Sequence, residues 1–227
     1  MPGNQYIAPF YVKINGSDVP TSLMDVIQEI EVDQSLFMPW MVQLRIHDDR
    51  LEWVDHQLFT IGSDVEIEAG TVDDPSGRVR LFKGEITALE ADFGEEMLTE
   101  LVVRGYDRSH RLHRQQKTRA FANVKVSDLA RQLTSGSGLS SDIETTRTVH
   151  DHIYLDNQTD FDFLRSLATR VGFLFRIEDG KLLFKRPATT AGTVSMTYGI
   201  DLLSFRPRLT SAAQVNETLV RGWNVEG

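Results

Sequence analysis

The sequence predicts a mainly β chain with an α/β insertion, an α+β arrangement in which two related antiparallel β-barrel-like modules accompany a small helix-strand domain. Three observations carry this. Apolar and polar residues alternate with period two through the first hundred positions, as in strands with one face on a core and the other in water. Helical periodicity with terminal punctuation is confined to the middle, about residues 120–187. A strand signature ending in glycine at Gly105 returns at Gly222.

The first module is read over residues 1–106 as a compact barrel or sandwich. Val42, Leu44 and Ile46 alternate with Gln43, Arg45 and His47, and Val65 and Ile67 alternate with Glu66 and Glu68. Val79 and Leu81 alternate with Arg78 and Arg80, while turns fall at 62–64 and 73–77 where Gly and Asp gather. Leu101, Val102 and Val103 form a continuous apolar run, which fits a strand covered on both faces or buried at an interface.

The α/β unit is read over 120–187. Ser127 is placed to N-cap a helix carrying Leu129, Ala130 and Leu133 that ends at the glycine-serine run 136–138. Thr159 with Asp162 three residues later forms a variant capping box for a second helix. Phe161, Leu164, Leu167, Ala168 and Val171 fall on one of its faces, and Gly172 stands at its C-terminal cap. A hairpin follows, with strands at 173–177 and 182–186 joined across Asp179-Gly180 and ended by Pro187.

Residues 107–119 and 188–227 are assigned to the second β module. Its end aligns without gaps on the first: residues 100–107 and 217–224 share Glu, Val, Arg and Gly, with Tyr106 matched by Trp223 and Asp107 by Asn224. Chance and duplication both produce such a match; duplication is the reading that makes the two segments equivalent strand edges.

Composition narrows the function classes. The 227 residues carry 24 Lys+Arg against 33 Asp+Glu, a formal charge of −9, with 41% hydrophobic residues, and a globule of this length buries ~70% of its unfolded surface. Without cysteine there is no disulfide scaffold, thiolate metal site or cysteine nucleophile. No run approaches the ~18 to 20 apolar residues of a membrane span, and residues 1–10 lack a basic then apolar leader. The expectation is therefore no membrane insertion by this segment and no signal peptide.

Signals for chemistry are weak. His110 with His113, and His150 with His152, are the paired histidines, but neither pair has the Glu of a helical zinc motif. The first pair also sits among Arg104, Arg108, Arg111, Arg114, Lys117 and Arg119, a field that repels a cation. Ser137 lacks a nucleophile frame, and the adjacent carboxylates Asp48/Asp49 and Asp73/Asp74 read as hydrated turns. The expectation is no catalytic residue, no metal and no cofactor. The basic stretch 104–119 offers only Tyr106 for stacking in an acidic chain, against nucleic acid. It reads either as a solvated face or as the answer to an acidic surface on a partner or a neighbouring copy.

The order of parts, with Arg104-Gly105-Tyr106-Asp107 running into Leu112 and His113, then 126–133, then 154–168, then the strands around Asp179-Gly180, resembles the phage late control gene D family. That family comprises baseplate hubs of contractile phage tails and the hub region of VgrG-type spike proteins in type VI secretion and extracellular contractile injection systems. The resemblance implies a non-enzymatic homotrimer assembled in the bacterial cytoplasm into a tail or injection particle. It would adapt a sixfold inner tube to a threefold tip spike and contact baseplate wedge proteins. Two β modules per chain would give six similar edges, with Leu101, Val103, Arg104, Arg108, Arg111, Arg114, Leu219 and Arg221 as expected interface residues. Longer members continue into a needle about where this sequence stops, at Gly227. The needle is then a separate polypeptide or a continuation of this one. The rival readings are a cell-wall hydrolase using His110, His113 or a carboxylate pair, with the β domain as binding module, and a monomeric carbohydrate- or protein-binding module. Trp40, Trp53 and Phe59 are either core or contact residues.

Overall fold

The structure, a computed structural model, describes residues 9–36, 38–70, 77–94, 99–178, 180–188, 192–199, 202, 204–210 and 217–219. The chain divides into two units, Met1–Pro187 and Ala188–Gly227.

The alternating segments of the first unit become β1 (Phe10–Ile14), β2 (Ser17–Asp18), β3 (Ile27–Asp33), β4 (Met41–His47), β5 (Asp64–Ala69), β6 (Val79–Phe93) and β7 (Thr99–Tyr106), with a one-turn helix α1 (Thr21–Met24) between β2 and β3. They form one antiparallel sheet in the order β2-β1-β5-β6-β7-β4-β3. The barrel expected for this module is not closed: β2 and β3 remain edges among the described residues. β2 has only two residues, and Pro20 then starts α1, so among the described residues no strand of sufficient length is present to pair with β3 and complete the ring. The Gln34 side-chain amide, just past β3, donates to the Leu81 carbonyl of β6.

The inward positions are those the alternation marks. Val12, Ile14, Val42, Leu44, Ile46, Val65, Ile67, Phe82 and Ile86 pack with Leu101 and Val103 around Leu23, Trp53 and Phe59. Trp53 and Phe59 are thus core residues, and Trp40 is half-buried, its indole N–H donating to the Ser35 carbonyl at 3.2 Å. Asp48 departs from the hydrated turn expected of it. Buried, it accepts the backbone N–H of Glu52, Trp53 and Val54 at 2.7, 2.9 and 2.9 Å, and so fixes the loop that delivers Trp53 to the core. Asp73 and Asp74 lie outside the described residues.

A second core belongs to the α/β unit. β8 (Gln116–Lys125) and β10 (Val149–Thr159) form an antiparallel ribbon. Helices α2 (Val126–Thr134) and α3 (Asp160–Val171) follow these two strands. β11 (Leu174–Glu178) pairs antiparallel with β12 (Lys181–Lys185), which pairs parallel with β9 (Ser140–Ile143). The core joins Leu112, Leu129, Ile153, Leu155, Phe161, Leu164, Phe175 and Phe184. α3 starts and stops as its sequence requires. Thr159 Oγ1 accepts the Asp162 N–H at 3.1 Å, and Gly172, at φ 68°, turns the chain so that the Phe173 N–H donates to the Ala168 carbonyl at 2.8 Å. α2 differs. β8 runs directly into it, so Ser127 lies inside the first turn and not at the cap, with its N–H donating to Thr146 Oγ1 at 3.2 Å. At the hairpin, Gly180 has φ 71° and Asp179 lies outside the described residues.

In the second unit, residues 192–199 run without regular structure into an isolated bridge between Tyr198 and Leu202, with Gly199 at φ 84° in the turn. Val194, Met196 and Tyr198 alternate with Thr193, Ser195 and Thr197, and all three apolar side chains are exposed. Of the repeated segment, Glu217, Thr218 and Leu219 are described, and Leu219 is 70% exposed. Residues 220–224, including Arg221, lie outside the described residues.

Candidate interaction site

The Arg104-Gly105-Tyr106-Asp107 segment is a mechanical junction. Gly105 is where β6 and β7 approach too closely for a side chain: a Cβ there would lie 2.9 Å from the Glu85 carbonyl oxygen and 3.1 Å from both Val42 and Val65. Asp107 then ends the strand. Its buried carboxylate accepts the N–H of Trp40 and of Ser109, each at 2.6 Å, and starts a 3₁₀ helix over Arg108–His113. Burial pushes this carboxyl above the usual range, and the hydrogen bonds from Ser109 and Trp40 offset only part of that.

The basic side chains that follow are mostly engaged within the chain. Arg104 donates from Nε to Gln43 at 2.8 Å and pairs with Glu90, and Arg108 pairs with Asp64 at 2.9 Å. Arg111 grips the buried Glu85 with both arms of its guanidinium, at 2.9 Å through Nε, tying the 3₁₀ helix to β6. His110 places Nε2 3.0 Å from Glu85 and Nδ1 2.8 Å from the Asp107 carbonyl. Lys117 pairs with Asp160. Arg114 is 63% exposed and stands 3.8 Å from Glu85. Arg119, also exposed, has no ion pair among the described residues.

Two of the expected interface residues lie in the interior of the sheet. Leu101 and Val103 are 2% and 1% exposed inside the sheet. Their strand pairs on both sides, with β6 and β4, so no open edge exists there. The continuous apolar run is explained by coverage on both faces, since Val102 is buried as well.

Glu85 is the side chain that sequence reasoning missed. It lies on a strand whose polar positions read as solvent-facing, and its partners are 25–29 residues away. Burial raises its carboxyl, but the hydrogen bond and charge of Arg111, with the charges of His110 and Arg114, outweigh that and hold it below the usual value. An acid with a depressed folded pKa contributes stability that is complete above its unfolded pKa and is lost as pH falls through the folded one. In Glu85→Gln, urea melts from about pH 3 to about pH 7 are therefore expected to lose that acid-side slope, with neutral-pH stability lower by about 2 kcal/mol. An unchanged slope would remove Glu85 as its source.

His113 stacks on Phe161 with ring centroids 4.2 Å apart, and burial pushes its imidazole below the usual value. His150 and His152 sit on β10. Among the described residues no group of three or more His, Asp or Glu is arranged to hold a metal. Ser137 is buried and donates to the Thr134 carbonyl at 2.7 Å, closing the end of α2. No described helix is long and apolar enough to cross a membrane.

Basic side chains, two of them exposed, converge on a cleft of about 670 Å³ between the 3₁₀ helix, β8 and the turn after α2. Arg111, Arg114, Lys117 and Arg119 line it, with Asp160 as the one acid. Its charge and open form suit carboxylate-bearing protein surface.

Residues 4–227 match the family described as Alg8 N-terminal domain. No curated protein matches. Among solved structures, the 43 kDa tail protein of prophage MuSo2 from Shewanella oneidensis is 18% identical with a TM-score of 0.66, over 85% of this chain and 57% of that one. The Escherichia coli c3393 protein, described as a component of the type VI secretion system similar to the phage T4 tail proteins gp27 and gp5, is 15% identical with a TM-score of 0.51, over 76% and 48%. The Francisella PdpA-VgrG complex gives 10% identity and a TM-score of 0.51, over 81% and 32%. The chain spans about half the length, or less, of these matches. At such identity the likeness is one of fold, and the fold is that of phage tail and VgrG proteins, as the sequence resemblance implied.

Proposed function

Because the chain belongs to the Alg8 N-terminal domain family and has the fold of tail and VgrG proteins, we propose that it is a structural component of a contractile injection tail. Within that reading it is the homotrimeric hub between the inner tube and the tip spike. The observation that carries the proposal is the likeness of fold to a phage tail protein over 85% of the chain.

On this reading residues 1–106 are the first β module, and 107–119 with 188–227 contribute to a related second one, from which the α/β unit projects toward baseplate proteins. The alternation of Val194, Met196 and Tyr198 with Thr193, Ser195 and Thr197 supports a strand-forming sequence in that second module. Leu101 and Val103 act from within the sheet, while Arg104, Arg108, Arg111, Arg114, Leu219 and Arg221 form the contact set. A trimer of two-module chains then offers six similar edges to a sixfold tube, and the role is mechanical. The particle would assemble in the bacterial cytoplasm.

Native mass spectrometry of the purified chain, alone and with its inner-tube partner, tests this. A trimer in either sample is the expected result, and a monomer in both overturns the proposal.

A further inference from the structure

The outer face of the sheet carries a ladder of alternating charge that stops short at its edge. Along one row Glu100 on β7 meets Arg45 on β4 at 3.2 Å, and Arg45 meets Glu29 on β3 at 3.2 Å. Along the next, Glu90 on β6 pairs with Arg104 on β7, which bonds Gln43 on β4, and Gln43 faces Glu31 on β3. The first row alternates acid and base up to Glu29, the second passes through the neutral Gln43 to Glu31, and both end on an acid at β3. β3 is an edge strand. Its Glu31 and Asp33 are exposed and have no cation partner among the described residues. An acidic edge of this kind repels a second copy of itself.

The cationic cleft has the complementary deficit. Arg119 has no acid, and Arg114 only a distant one. Lys117 and Arg119 lie two residues apart on β8, as Glu31 and Asp33 do on β3, so both rows have the same ~6.6 Å spacing. The acid that lines the cleft, Asp160, is 7% exposed and is taken by Lys117. It therefore leaves Arg114 and Arg119 to be answered by carboxylates from outside the cleft, and arginine's planar fork suits the carboxylates of an acidic protein edge.

We propose that the cleft lined by Arg114, Lys117, Arg119 and Asp160 receives the acidic β3 edge of a second copy of this chain. The inference rests on the hub reading and assigns its contact between copies. Different patches meet across such a contact, so it is heterologous and propagates from copy to copy until a ring closes. Local complementarity of this kind is also what lets copies bearing a net −9 charge approach one another.

The test measures the assembly of the full chain by native mass spectrometry and sedimentation, at low and high salt, for wild type, Glu31→Arg, Arg119→Glu and the chain carrying both. All altered side chains are exposed, and thermal melts check that each variant is folded. Each single reversal is expected to raise the dissociation constant about tenfold or more by setting like charges together. The doubly reversed chain is expected to return to within about threefold of wild type, and salt to weaken wild-type assembly. A wild type that assembles while both single variants assemble equally well overturns this contact and leaves the hub reading standing. So does a doubly reversed chain that fails to recover. A wild type that stays monomeric with and without the tube partner overturns the hub reading and the contact with it.

Discussion

Replacing Gly84 by alanine is expected to cost the protein about 3 kcal/mol or more, far beyond an ordinary glycine substitution. A Cβ at this position would stand 2.3 Å from the Tyr106 carbonyl oxygen, 2.7 Å from its carbonyl carbon and 2.6 Å from Phe82 Cζ. The first two are backbone atoms of a strand held on both sides, Tyr106 being opposite Glu85 on β6 and Met41 on β4. The next residue, Asp107, is itself held by the Trp40 N–H. Relief would have to come from shifting β7 as a whole, and close-packed interiors resist such shifts. Gly136→Ala is the control: nothing lies within 4 Å of its Cβ position, and the loss of unfolded-chain freedom makes that change neutral or slightly stabilising. Urea midpoints for the two variants give the comparison. Equal stability for Gly84→Ala and wild type would mean that β6 and β7 do not cross this tightly.

The same crossing separates what was readable in the sequence from what was not. Strands such as Met41–His47 announce themselves because one face is apolar and the other polar, and α3 does so because Thr159, Asp162 and Gly172 each satisfy a local backbone need. Such signals lie within a few residues of one another. Sheet closure has no local signal. It depends on how strands tilt and shear, so alternation alone was equally consistent with a barrel, and among the described residues the sheet stays open at the short β2 followed by Pro20. The parallel pairing of β9 with β12 is likewise set by residues some forty positions apart.

The candidate site follows this division. The cluster of cations between Arg104 and Arg119 is visible as a run of charge, but the acids that occupy Arg108, Arg111 and Lys117 are Asp64, Glu85 and Asp160, remote in sequence and brought near only by the fold. Asp48 was misread for a related reason. Its three N–H donors come from a loop without periodicity, so nothing in the pattern distinguishes it from the paired Asp49 at the surface.

Truncating Phe161 should remove about 4 kcal/mol of stability, and the loss should be local. Phe161 is fully buried at the start of α3, with His113 stacked on one face at 4.2 Å and Phe175 meeting it edge-on at 5.0 Å. It belongs to the core of the α/β unit, whose residues are distinct from the core of the seven-stranded sheet. The two are tied instead by polar contacts such as the grip of Arg111 on Glu85. Hydrogen exchange on Phe161→Ala should therefore show faster exchange in Gln116–Lys125 and Leu174–Glu178, with Met41–His47 still protected at the wild-type level. Phe161→Leu, which retains most of the volume, should fall between the two. Loss of protection spread evenly over both sets of strands would mean that the cores fold as one cooperative body. The α/β unit could then not be treated as one that unfolds apart from the sheet.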